Sequence, residues 1–284
     1  YQSARELLEA LTTVRTTGAL PVAEAEKLAG PTLMERLGRS PLVGREAELP
    51  RLKGLIDQAI AGRGAVVLVS GPLGIGKTRL VEEAATYARL RGVAVVTGKA
   101  FESAPPYGPF TKALRELARG VDADTLAARM EGFAPDLVAL IPDLSRQLPK
   151  MPVRSPGSPE DQKNRLFAGV AQFLTSTAAV VPVMLVLDDM HLSDSASAEL
   201  LNYLARGSEL GRVLLAAAFR PDEIPATPAG RSFAQVVHEL TREPFCVQIT
   251  LRPLNEDQVT DLMKVMANHP ARPGIFGQRI FRVR

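Results

Sequence analysis

Ala65-Val66-Val67-Leu68-Val69-Ser70-Gly71-Pro72-Leu73-Gly74-Ile75-Gly76-Lys77-Thr78 is the stretch from which the fold is read. Ala65 to Val69 is an unbroken apolar run. Ahead of a glycine loop and a helix, such a run reads as a buried parallel strand. Gly71 to Thr78 fits G-x-x-x-x-G-K-[ST], a phosphate-binding loop or P-loop. Triphosphate oxygens need several backbone N–H groups aimed into one concavity, and glycines let the chain bend tightly enough to approach them. The helix expected to start near Lys77 adds its free N–H groups and the positive end of its dipole. Lys77 supplies a mobile charge for the β- and γ-phosphates, and the Thr78 hydroxyl is placed for magnesium. The expected ligand is ATP with Mg2+, gripped by Gly71, Pro72, Gly74, Ile75, Gly76, Lys77, Thr78 and Arg79.

Such a site needs a carboxylate at the tip of a neighbouring strand to share the metal. Val183 to Leu187 is a second apolar run and ends in Asp188-Asp189. Two acids at the end of a buried strand are costly unless they face a cation or water. Asp188 is assigned to the magnesium, and Asp189 to positioning or deprotonating the attacking water. The plainer alternative is that both acids cap the turn that follows. Asp194, further on, reads as the N-cap of a helix over 194–206. A third apolar run, Val213 to Ala218, leads into Phe219-Arg220. An arginine at the C-terminal end of a parallel strand sits where ligands bind in open α/β sheets. Arg220 is therefore a candidate contact for the γ-phosphate, against the alternative of a solvated arginine ahead of Pro221. The catalytic set is Asp189, Lys77 and Arg220.

Outward from these motifs, helices are expected over 46–60, 77–91, 160–179, 194–206, 230–241 and 255–267. Strands are expected at 65–69, 93–96, 183–187, 213–218 and 246–250. Alternation of this kind implies a mainly parallel sheet covered on both faces, a three-layer α/β/α arrangement. Residues 101–120 open as a proline- and aromatic-rich loop and continue as a helix, 121–160 are mixed, and Lys150 to Pro159 reads as an exposed loop. The domain plan is a short N-terminal helix within 1–15, a linker over 16–41, the core over 42–252 and the start of an incomplete helical lid over 253–284.

Composition sets limits on the rest. The chain of 284 residues is 46% hydrophobic and 23% charged, the balance of a soluble globular protein. Its 34 basic residues nearly offset 31 acidic ones, and no basic block marks a nucleic-acid surface. The single cysteine, Cys246, cannot form an internal disulfide, fits a cytoplasmic setting and reads as a buried small hydrophobe. No apolar stretch reaches the ~18 residues of a membrane span. Residue 1 is Tyr rather than Met, which reads as a start inside a longer protein.

Taken in order, Leu42-Val43-Gly44-Arg45-Glu46, GPLGIGKTRL at 71–80, LVLDDMHLSD at 185–194, Phe219-Arg220-Pro221-Asp222-Glu223 and Leu251-Arg252-Pro253-Leu254 resemble the AAA-like, Orc1-like P-loop ATPases of the STAND signal-transduction class. The resemblance runs over about residues 41–283. It implies that Gly44 and Arg45 lie beside the adenine or ribose and Pro253 near the base, and it supports Arg220 as a phosphate sensor. Relatives usually carry tryptophan where Leu192 stands. Residues 1–7 look like the last helix of a bacterial serine/threonine kinase domain, which implies a kinase–ATPase fusion; no kinase motif lies in the chain itself. The expected function is a regulatory ATPase switch turning ATP and water into ADP and phosphate. Its expected partners are ATP and ADP, the flanking domains of the same polypeptide and a second copy of itself, with no membrane and no nucleic acid. The alternatives are a small-molecule kinase, a DNA-associated initiator-like ATPase and a scaffold that holds nucleotide without cleaving it.

Overall fold

The computed structural model describes residues 42–130, 132–148, 157–207 and 210–267. The N-terminal helix, the linker and the far end of the lid lie outside the described residues. Gly44–Leu254 form one compact unit. Its centre is a five-stranded sheet of β1 (Ala65–Ser70), β2 (Ala94–Lys99), β3 (Val183–Asp188), β4 (Val213–Phe219) and β5 (Cys246–Thr250), in the order β2-β3-β4-β1-β5. Every pairing is parallel. Every residue of β1, β3 and β4 is buried, as unbroken apolar runs require in a sheet covered on both faces.

Helices α1 (Glu48–Ile60) and α2 (Lys77–Leu90) cover one face through Leu52, Ile56, Leu80, Ala84 and Ala88. The other face carries the larger core. It packs under α3 (Gly108–Arg119), α6 (Pro159–Val180), α7 (Ser195–Arg206) and α8 (Pro228–Leu240), with the short α4 (Ala123–Arg129) and α5 (Ala134–Leu140) against α6. Phe110, Phe173 and Phe233 are fully buried there, and the Phe219 ring meets Phe233 edge-on at 5.4 Å. The expected α/β/α layering is what the chain adopts. A further helix, α9 (Glu256–Ala267), lies in a second unit; Asn255 and Gln258 exchange backbone-to-side-chain hydrogen bonds of 2.8 and 2.9 Å at its start.

Four expectations are corrected. The strand carrying Asp188 is not the neighbour of the P-loop strand, because β4 lies between them. The second strand runs on to Lys99, since Thr97-Gly98-Lys99 keeps its ladder to β3 although it lacks the apolar signal. Pro159 is not in a loop. It opens α6, where Ser158 and Asp161 form a capping box and the proline's missing N–H costs nothing. Cys246 is half-buried rather than buried, and desolvation raises its thiol pKa to about 11, which keeps it unreactive.

Candidate functional site

The C-terminal ends of β1, β3 and β4 come together on one rim of the sheet. Gly71 has φ 154°, and a Cβ there would meet Ile75 Cγ2 at 3.0 Å and the Leu251 carbonyl at 3.1 Å. Gly74 and Gly76 also have positive φ, and Gly76 caps α2 in the left-handed conformation. Ordinary side chains are strained in this geometry, so the glycines shape a tight loop that ends at a helix N-terminus. Lys77 is buried beneath the loop and donates to the Gly71 and Pro72 carbonyls at 2.8 and 2.9 Å. Burial and the Arg220 guanidinium push its pKa down, against the pull of Asp189, Asp188 and Glu223.

Thr78 Oγ1 donates to Asp188 Oδ2 at 3.2 Å, so the two candidate metal ligands are already in contact. Asp188 Oδ1 accepts the backbone N–H of Asp189 at 2.9 Å. Asp189 itself sits at φ 53°, one of two non-glycine residues with positive φ among the described residues. Such strain persists only where surroundings impose it, and it clusters at working sites. Here the turn aims the Asp189 carboxylate at Lys99 Nζ, 2.9 Å away, and at Arg220 Nη2, 3.5 Å away. Burial would raise the Asp189 pKa, but the Lys99 hydrogen bond and the two cations outweigh it and hold the acid below its ordinary value. The same bond raises the pKa of Lys99.

Arg220 follows β4 directly and is shared between two acids, since its Nη1 also meets Glu223 Oε2 at 2.6 Å. Arg45 is 6% exposed. Its guanidinium donates to the Ile75 carbonyl at 2.8 Å and the Arg252 carbonyl at 2.9 Å, bracing the P-loop against the end of β5. Gly44 donates its N–H to Glu46 Oε1 at 3.0 Å, and Pro253 is exposed beyond β5. Arg79 points along α2 to Glu83 at 3.3 Å. Asp194 caps α7 as expected, accepting the Ser197 N–H at 2.9 Å.

Lys99 was not singled out from the sequence, Glu223 was read only as part of the Phe219–Glu223 motif, and His191 was read as a structural loop histidine rather than a metal ligand. Lys99 stands opposite Asp188 in the β2–β3 ladder, a pairing that only the strand register reveals. Glu223 was legible as an acid three residues after the arginine. His191 is 1% exposed, and neither ring nitrogen finds a hydrogen-bond partner among the described residues. The nearby Ser193 Oγ is buried without a partner as well.

Residues 41–216 match the AAA ATPase domain family. The chain belongs to it. Membership in the AAA ATPase family implies nucleotide binding at the P-loop. Over 238 residues the chain is 28% identical to an uncharacterised protein of Rhizobium meliloti (strain 1021), covering 78% of this chain and 21% of that protein. It is similar in structure to Cdc6p of Pyrobaculum aerophilum, at 16% identity and TM-score 0.48 over 80% of this chain and 50% of that one. It is also similar to a STAND protein with a tetratricopeptide repeat sensor from Pyrococcus horikoshii, at 14% identity and TM-score 0.43 over 87% of this chain and 29% of that one. The AAA ATPase chain thus spans about a fifth of the curated relative and half or less of these two solved chains. No described helix is long and apolar enough to cross a membrane.

Proposed function

We propose that this chain is the ATP-hydrolysing switch module of a larger signalling protein of the STAND class. The observation that carries the reading is the meeting, on one rim, of the glycine cradle, the Thr78–Asp188 pair and the doubly paired Asp189. The donor set fits magnesium with a triphosphate. Thr78 and Asp188 offer two hard oxygens, and among the described residues no cluster of three His, Cys, Asp or Glu could hold a metal alone. Magnesium suits that incompleteness, because it keeps waters and completes its shell from phosphate. Bound Mg2+ would neutralise charge on the phosphates.

The remaining work falls to the protein. The loop's N–H groups and Lys77 hold the phosphates, and the polyanion restores the proton affinity that burial takes from Lys77. Asp189, kept ionised by its cations, orients the attacking water rather than storing its proton. Arg220 follows the strand that lies between the P-loop strand and the acidic strand, placed to distinguish ATP from ADP. Arg45 acts here as a brace on the P-loop, and Gly44 and Pro253 border the base.

In this reading, residues 1–15 end an upstream serine/threonine kinase domain and 253–284 begin the lid, so the flanking segments carry input and output. The match to only 21% of the Rhizobium relative supports a module set in a longer chain. Phosphate release from ATP, followed by a coupled assay, tests the proposal. Hydrolysis lost in Lys77→Ala, and reduced at least ~100-fold in Asp189→Asn with ATP binding kept, is expected. An equal rate in Lys77→Ala contradicts it.

A further inference from the structure

We infer that His191 is a positioning residue: its buried ring receives the Glu223 carboxylate when Arg220 leaves that acid for the terminal phosphate of ATP. The inference rests on the reading of Arg220 given above and names the part that lets the arginine move.

Arg220 is not free in this structure. Glu223 holds it at 2.6 Å and Asp189 at 3.5 Å. An arginine that turns to a phosphate leaves the Glu223 carboxylate, 43% exposed, with only water where its cation stood. A replacement donor stands beside it. His191 Nε2 lies 3.9 Å from the same Glu223 Oε2, about 1 Å beyond a hydrogen bond. The ring is wholly buried and both nitrogens lack partners among the described residues, so it has a donor to give and no contact to break.

The residue also borders open space. His191 and Ser193 line a cavity of about 400 Å³ that continues past Leu192 to Pro225 and Gly230. The groups facing His191 are Asp189 on its own turn, Arg220 and Glu223 after β4, and Lys77 at the start of α2. Burial favours the neutral ring, and a neutral imidazole with its proton on Nε2 suffices for the bond to Glu223. His191 thus connects the turn after β3 to the loop after β4, the two segments that carry Asp189 and Arg220. Loss of its N–H should penalise the ATP state and spare the ADP state, in which Arg220 has no terminal phosphate to reach.

The test is a set of affinities of the whole 284-residue chain for ATP and for ADP, with magnesium, by titration calorimetry. His191→Phe is expected to weaken ATP roughly tenfold and leave ADP unchanged, the loss of one hydrogen bond to a charged group. His191→Gln, whose amide N–H replaces Nε2–H, should keep wild-type ATP affinity. In a Glu223→Gln background, where no carboxylate needs a new partner, His191→Phe should have no further effect. Equal losses for ATP and ADP in His191→Phe, or an undiminished loss in the Glu223→Gln background, overturns the inference while leaving the Arg220 reading intact. An ATP preference that survives in Arg220→Ala overturns both. If the phenylalanine variant does not fold, His191→Leu takes its place in the same cycle.

Discussion

Asp189 and His191 show how a few residues after a strand set up opposed charge environments. Asp189 is held ionised by Lys99 and Arg220, whereas His191, two residues on, is desolvated and held below the ordinary imidazole pKa. The depressed histidine value has a definite consequence for stability. The unfolded chain takes up the proton first, so the contribution of neutral His191 is present above about pH 6.5 and is lost as pH falls below it. Melts at about pH 7 and about pH 5 should show a loss on acidification that is smaller in His191→Phe; equal losses would contradict the burial argument. Arg45 gives a second residue-scale prediction. Arg45→Ala strips donors from the Ile75 and Arg252 carbonyls and should weaken ATP and ADP alike, read by competition with a fluorescent nucleotide. A loss confined to one nucleotide contradicts a bracing role.

Residues in the P-loop motif were legible because each residue type has one job there: glycine for the backbone, lysine for charge, threonine for a hydroxyl. Lys99, by contrast, was invisible. Nothing in local spacing says that a lysine some 90 positions from Asp189 will face it; the parallel register does.

Strands β1, β3 and β4 were readable as elements because both faces are buried and the apolar runs are continuous. The end of β2 was not, since Thr97 and Lys99 are polar and Gly98 carries no side chain to report burial. Gly98 is nonetheless constrained, because a Cβ there would lie 1.9 Å from the Pro109 carbonyl of α3. Gly98→Ala must push α3 off the sheet and should cost about 1–3 kcal/mol or more in a urea unfolding series. An unchanged midpoint would mean that α3 packs less closely than described. The same loss should reach the site, because Lys99 follows directly and aims at Asp189. The segment 121–148 was unreadable for a different reason: its helices are seven residues or shorter and end at prolines and polar turns.

At the scale of the molecule, the order β2-β3-β4-β1-β5 is what makes the rim work. Inserting β4 between the P-loop strand and the acidic strand brings Arg220 to the rim, 3.5 Å from Asp189. Strand order is a long-range property, and sequence patterning fixed only that a parallel sheet forms. The central claim is that this rim binds magnesium and a triphosphate together. Calorimetric titration of ATP into the chain, with and without Mg2+, tests it most directly, alongside Lys77→Ala. Affinity that appears with Mg2+, falls at least tenfold without it and vanishes in Lys77→Ala is predicted; wild-type affinity that is absent, or indifferent to both magnesium and Lys77, contradicts the account.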